Sequence, residues 1–232
     1  MKQTKRSYGL DWIDEEKLYE ITKHAFSEVI KKAEQAKLQA PPDPFTIVVQ
    51  AVIFNQSAES MMAFEKLRAI NKSISNAVGN WHQAVLGLAD GWENLGSAGG
   101  VVDLMVRETP DAKPMAVECK NRFNTIKGSD EKNMWDKLDN LARANGATSY
   151  IVQIVPKKPE RYDRPWKVSG RPVRENVRCC DGATAYARAF KREKALEELY
   201  AAFPSILEDV VDKGNFDASG MREYFVISMP CD

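Results

Sequence analysis

The stretch that decides the reading is VVDLMVRETPDAKPMAVECKN, Val101 to Asn121. VVDLMVRE has the β-branched, apolar look of a strand, TPDAKP carries turn residues, and PMAVECKN reads as a second strand. Together they predict a hairpin from about Val101 to Asn121. Asp103 interrupts the first apolar run, and Glu118-Cys119-Lys120 ends the second. Strand side chains alternate faces, so Glu118 and Lys120 project to the same side, and Asp103 can face them across the ladder.

Two carboxylates converging in this way, with the backbone carbonyl of Cys119, form a hard oxygen cage suited to Mg²⁺. Lys120 beside such an ion would position or help deprotonate a water, and would stabilise charge building on a phosphorane-like transition state. These are the parts that phosphodiester hydrolysis needs. Asn121, Asn124 and Thr125 follow at once, groups that bind phosphate or base edges. The competing reading is a pair of edge strands with solvated charges and a salt bridge. An acid-x-base tripeptide is cheap, and composition alone supplies about five in this chain. What favours the metal site is placement: the tripeptide ends an apolar run, where charge is costly, and a lone acid interrupts the other.

Upstream the chain reads as helical. Asp14 to about Lys37 is amphipathic, with Leu18, Ile21, Ala25, Phe26, Val29, Ile30 and Ala33 at helical spacing, and Pro41-Pro42-Asp43-Pro44 stops it. Further helices are expected around Phe45 to Ile53, from about Ala58 to Ile70, and from Ser73 to Leu88. Glu65 and Gln83 lie on these helices and are candidates to reach the metal or its waters; His82 is a candidate general base. The bland alternatives are a surface pair of Glu65 with Arg68 and a structural histidine beside Trp81. GWENLGSAGG from Gly91 is loop-rich.

Downstream, a helix is expected from Ser129 to Ala144 with Ser129 as its cap, then a strand TSYIVQIV after Gly146. Pro156 to Cys180 shows little periodicity and reads as a loop region, with Cys179-Cys180 as buried small residues beginning a strand or turn. A final helix from about Ala183 to Phe203 and a short strand EYFVISMP close the chain. Helices, hairpin, helix and strand in this order predict an α/β fold, a mixed central sheet flanked by helices with a helical N-terminal part. At 232 residues one large domain is the default: a helical part to residue 90, a hairpin, helix and strand to 155, a basic loop region to 180, then a C-terminal helix and strand.

Lys plus Arg equals Asp plus Glu at 33 each, which excludes a polycation but not one basic face. Lys157 to Arg178 holds eight bases and three acids, a local charge of +5. Arg161, Arg164, Lys167, Arg171, Arg174 and Arg178 are the natural pool for reading guanine edges, and Lys157 and Lys158 suit phosphates. The four cysteines lack C-x-x-C spacing, which disfavours structural zinc and a disulfide scaffold. No long apolar run or signal-peptide region is present, so a cytoplasmic protein without a membrane segment is expected.

The pattern Asp103…Glu118-x-Lys120 resembles the PD-(D/E)xK nuclease superfamily, with Val102 where the motif name has proline. VECKNRFNTIKGSDEKNMWDKL is similar to type II restriction endonucleases, most closely the branch that cuts GGNCC sites. The likeness reaches upstream through Glu65, Arg68, Lys72, Asn76, Gly79 and His82-Gln83, and faintly downstream to CDGATAYARAF. It implies a Mg²⁺-dependent endonuclease acting as a homodimer on palindromic duplex DNA, with Asp103 and Glu118 ligating metal and Lys120 orienting the water. A repair or junction nuclease with the same metal site, or a DNA-binding protein that has lost catalysis, are the alternatives.

Overall fold

The computed structural model describes residues 6–35, 41–96, 100–107, 113–211 and 217–231. Seven helices and six strands are described: α1 (Glu15–Gln35), α2 (Pro44–Phe54), α3 (Ala58–Leu86), β1 (Trp92–Asn94), β2 (Leu104–Val106), β3 (Met115–Arg122), α4 (Gly128–Ala144), β4 (Thr148–Val155), β5 (Asp163–Pro165), β6 (Val177–Asp181), α5 (Gly182–Phe190), α6 (Ala195–Val211) and α7 (Met221–Ser228). The strands form one mixed sheet in the order β1-β2-β3-β4-β6-β5. β3, β4 and β6 run parallel, and the outer pairings are antiparallel. The expected α/β architecture is therefore observed. Among the described residues no helix is long and apolar enough to cross a membrane.

Alternation along β3 and β4 builds two cores. Val117, Tyr150, Val152 and Cys180 face α1, α3, α5 and α6 through Leu18, Trp81, Val85, Tyr186 and Leu199. Ala116, Ile151, Val177 and Cys179 face α4 through Trp135, Leu138 and Ala142. The second face carries Glu118 and Lys120 beyond Ala116. Gly182 joins β6 to α5 where a side chain has no room: a Cβ there would lie 2.5 Å from the Ile154 carbonyl oxygen.

Several expectations are corrected. The two helices expected between Ala58 and Leu88 are one, α3, because Lys72 is a good helix former, Asn71 is tolerated, and no Gly or Pro separates Ile70 from Ser73. At 29 residues α3 spans about 43 Å. The helix expected over Ala183 to Phe203 is two, since Lys191 takes a left-handed conformation (φ 53°) and ends α5. EYFVISMP is not a strand: residues up to Ser228 belong to the helix α7, which Gly220 opens at φ 77°. The loop expected over Pro156 to Cys180 contains β5 and most of β6, and β6 pairs with β4 inside the sheet. GWENLGSAGG contributes the short strand β1. Lys127, not Ser129, caps α4, and it does so without a side-chain bond. The tip of the hairpin, residues 108–112, lies outside the described residues.

Candidate active site

β2 starts at Leu104, so Asp103 sits just before the strand rather than within it. This small shift gives Asp103 its position. The β2–β3 ladder ends at the Leu104–Val117 pair, leaving the next outward amide of β3, that of Cys119, without a strand partner. The Cys119 N–H donates to Asp103 Oδ2 at 2.8 Å. In a strand the carbonyl of a residue leaves on the same edge as its N–H, so the Cys119 carbonyl shares the edge that Asp103 occupies. The Asp103 main chain is clamped in turn: its carbonyl accepts from Leu95 N at 3.0 Å and from Gln83 Nε2 at 3.2 Å.

Glu118 is buried at 6% exposure, and both its oxygens are occupied by lysines. Lys120 Nζ donates to Oε1 at 2.8 Å, which puts the two side chains on the same face of β3. Lys137 Nζ, from α4, donates to Oε2 at 2.9 Å. Burial first, then the Glu118 carboxylate, pushes the Asp103 carboxyl above the ordinary carboxylate range, while Lys120 and Lys137 pull it back. Two carboxylates that repel across a half-buried gap are a natural seat for a small divalent cation. Among the described residues no group of three or more His, Cys, Asp or Glu could hold a metal. The donor set on hand is Asp103, Glu118 and a strand carbonyl, which suits Mg²⁺, an ion that keeps several waters and takes phosphate oxygens as further ligands.

This centre opens on a cleft of about 1090 Å³. One wall carries Asp103, Lys120, Asn121, Arg122 and Thr125; α3 supplies Asn71, Ser75, Asn76 and Asn80 opposite. Thr125 also ties the turn after β3, with its hydroxyl on the Arg122 carbonyl at 2.8 Å, and Asn124 lies exposed in that turn.

The other sequence candidates fall elsewhere. Glu65 sits 18 residues before Gln83 on the same helix, about 27 Å away along its axis, so within one chain it does not reach the Asp103–Glu118 centre. It accepts instead from Gln50 Nε2 at 3.1 Å and Arg68 Nε at 2.7 Å, tying α2 to α3. Gln83 is a positioning residue, bonded to the Asp103 carbonyl and to Asn94 Oδ1 at 2.9 Å. His82 is packed edge-on against Trp81 and Tyr186, with Nδ1 2.8 Å from the Tyr186 hydroxyl. Burial lowers its pKa to about 3, so it is a neutral core residue rather than a general base near pH 7.

Much of the basic region is engaged within the chain. Arg171 makes a two-pronged pair with Asp136 of α4, both bonds 2.6 Å. Arg174 pairs with Asp139 at 3.0 Å, Arg178 with Asp163 at 2.6 Å, and Arg161 with Glu193 at 3.0 Å. Arg164 lies over the Tyr162 ring. Lys157, Lys158 and Lys167 are exposed. Lys137 and the α3 asparagines Asn71 and Asn80 were not singled out by sequence reading. Lys137 borders the apolar stripe of α4, and a basic residue there, about two and a half turns into the helix, is the local hint it offers.

The Eco47II restriction endonuclease family model matches residues 10–212, which include every residue of this centre. The chain belongs to that family. It is 32% identical over 218 residues to the type II restriction enzyme Eco47II of Escherichia coli, covering 88% of this chain and 89% of the relative. It is 26% identical over 219 residues to the type II restriction enzyme Sau96I of Staphylococcus aureus, covering 88% and 81%. The resemblance to type II restriction endonucleases therefore holds along nearly the whole chain, and this family member is a DNA endonuclease.

Proposed function

We propose that this restriction endonuclease cuts both strands of duplex DNA at a short G/C-rich palindrome, GGNCC being the candidate, and that it uses Mg²⁺ and acts as a homodimer. The observation that carries the reading is the convergence of the Asp103 carboxylate, the Cys119 edge and Glu118, the last flanked by two lysines. Asp103 and Glu118, with the Cys119 carbonyl, would hold the ion, which when bound supplies a Lewis acid for the phosphate and acidifies a ligated water. The chain's own groups do the rest. Lys120 aims the attacking water and balances charge gathering on the phosphate oxygens. Lys137 shares Glu118, so Lys120 is not fixed on it by charge alone. Water oxygen adds to phosphorus, the P–O bond to the leaving sugar oxygen breaks, one water proton passes to solvent, and the leaving oxygen takes a proton from solvent.

Asn121, Asn124 and Thr125, with the α3 asparagines across the cleft, are suited to base edges and phosphates, and Lys157, Lys158 and Lys167 to the DNA backbone. Arg161, Arg164, Arg171, Arg174 and Arg178 would read guanine only by leaving their present partners. Their share in DNA binding is therefore smaller than the +5 charge of the segment suggests. The test is incubation of phage DNA with the purified protein in Mg²⁺, followed by mapping of fragment ends. Discrete fragments sharing one palindromic end sequence support the reading. Cutting confined to branched or mismatched DNA would replace it with a junction or repair nuclease.

A further inference from the structure

α2 is exposed in a way a helix of its composition does not tolerate alone. It is securely capped, by Asp43 and a proline at its start and by left-handed Asn55 at its end, and it packs mainly on α3. Between Pro44 and Phe54 it carries no charged residue, and only Ile47 is buried. Phe45 (80% exposed), Val48, Val52 (75%) and Ile53 share the solvent face of α2, and Phe64 and Leu67 are exposed on α3. A helix apolar all round belongs inside something. At about 200 Å² for a fully exposed large side chain, these residues and their exposed apolar neighbours offer on the order of 1,000 Å². That exceeds the few hundred Å² of an ordinary monomer patch and meets the about 800 Å² per partner of a standard interface.

We propose that the α2–α3 arm is where a second copy of the chain docks. The proposal deepens the homodimer reading above and rests on it. α2 has no Lys or Arg to meet a polyanion or to hold a helix at a lipid surface. At 11 residues α2 is too short to span a bilayer. A two-fold contact requires a patch that complements itself, and an uncharged apolar face does so automatically. The arm is stiffened for the task by Gln50, Glu65 and Arg68, which bond α2 to α3. The stripe also continues toward the active site: Phe64, Leu67, Asn71 and Ile74 follow one side of α3, and Asn71 lines the cleft.

The test is sedimentation equilibrium of the full chain at micromolar concentration, alongside mapping of its DNA cleavage. Wild type should be two chains. Val52→Asp and Leu67→Asp should each weaken association at least about tenfold, with unchanged helicity, while Ile227→Asp on exposed α7 leaves it intact. Leu67→Asp keeps the test alive should Val52→Asp unfold α2, since α3 is anchored independently by Trp81 and Leu86. A wild-type dimer that both variants preserve would overturn the arm as the interface yet leave double-strand cleavage standing. A wild-type chain that stays single with and without its DNA, or that instead co-sediments with phosphatidylglycerol vesicles, would overturn it as well.

Discussion

Asp103 pairs two tasks that conflict without a cation. Its carboxylate caps a strand amide and faces Glu118, and its raised pKa says that the charged form is costly there. Asp103→Asn keeps the bond to Cys119 while removing the repulsion. It should lower cleavage by at least about a thousandfold and raise the metal-free melting temperature at pH 7; a melting temperature below wild type would contradict the repulsion. Lys137→Ala leaves Lys120 as the only ammonium on Glu118. Its cleavage rate should fall by about 10- to 100-fold, read from single-turnover kinetics, with DNA affinity little changed. His82 gives the pH dependence of stability. Folding holds it neutral, with a pKa near 3 against about 6.5 unfolded. Its contribution is therefore complete above about pH 6.5 and is lost as pH falls toward 3, a few kcal/mol in all. His82→Gln should flatten the melting temperature across that window; an unaltered slope would remove His82 as its source.

At the scale of elements, the strongest constraint is the β6–α5 junction. Gly182→Ala pushes a methyl into the Ile154 main chain and should cost about 1–3 kcal/mol in chemical denaturation; no loss would mean that the junction yields easily. β3 was legible in sequence because MAV precedes ECKN, an apolar run that stops abruptly at charge. The shared side of Glu118 and Lys120 followed from alternation alone. β6 was not legible: VRCCD has no alternation to read, and it is a strand because β4 offers it a parallel edge and α4 a cover. α7 misled for the opposite reason. Tyr224, Phe225, Val226 and Ile227 favour strands in the abstract, but the segment forms a helix in which only Phe225 is buried, against Tyr200. Lys137 and the cleft asparagines became visible only once α4 and α3 were set against β3.

For the whole molecule, segregated charge mattered less than where each charge is bound. The basic segment looked like a DNA-reading loop, yet Arg171 and Arg174 fasten it to α4 behind the Glu118 face. Amide side chains line the cleft before the carboxylates, and the exposed apolar arm lies at the far end of α3. A rigid helix of about 43 Å thus joins a surface suited to a second copy and the clamp on Asp103. The most direct measurement compares wild type with Glu118→Gln on DNA bearing the mapped site, scoring cleavage in Mg²⁺ and binding in Ca²⁺. The account predicts that Glu118→Gln binds that DNA with near wild-type affinity and does not cut it. Cleavage by Glu118→Gln at a rate close to wild type would contradict the assignment of this centre.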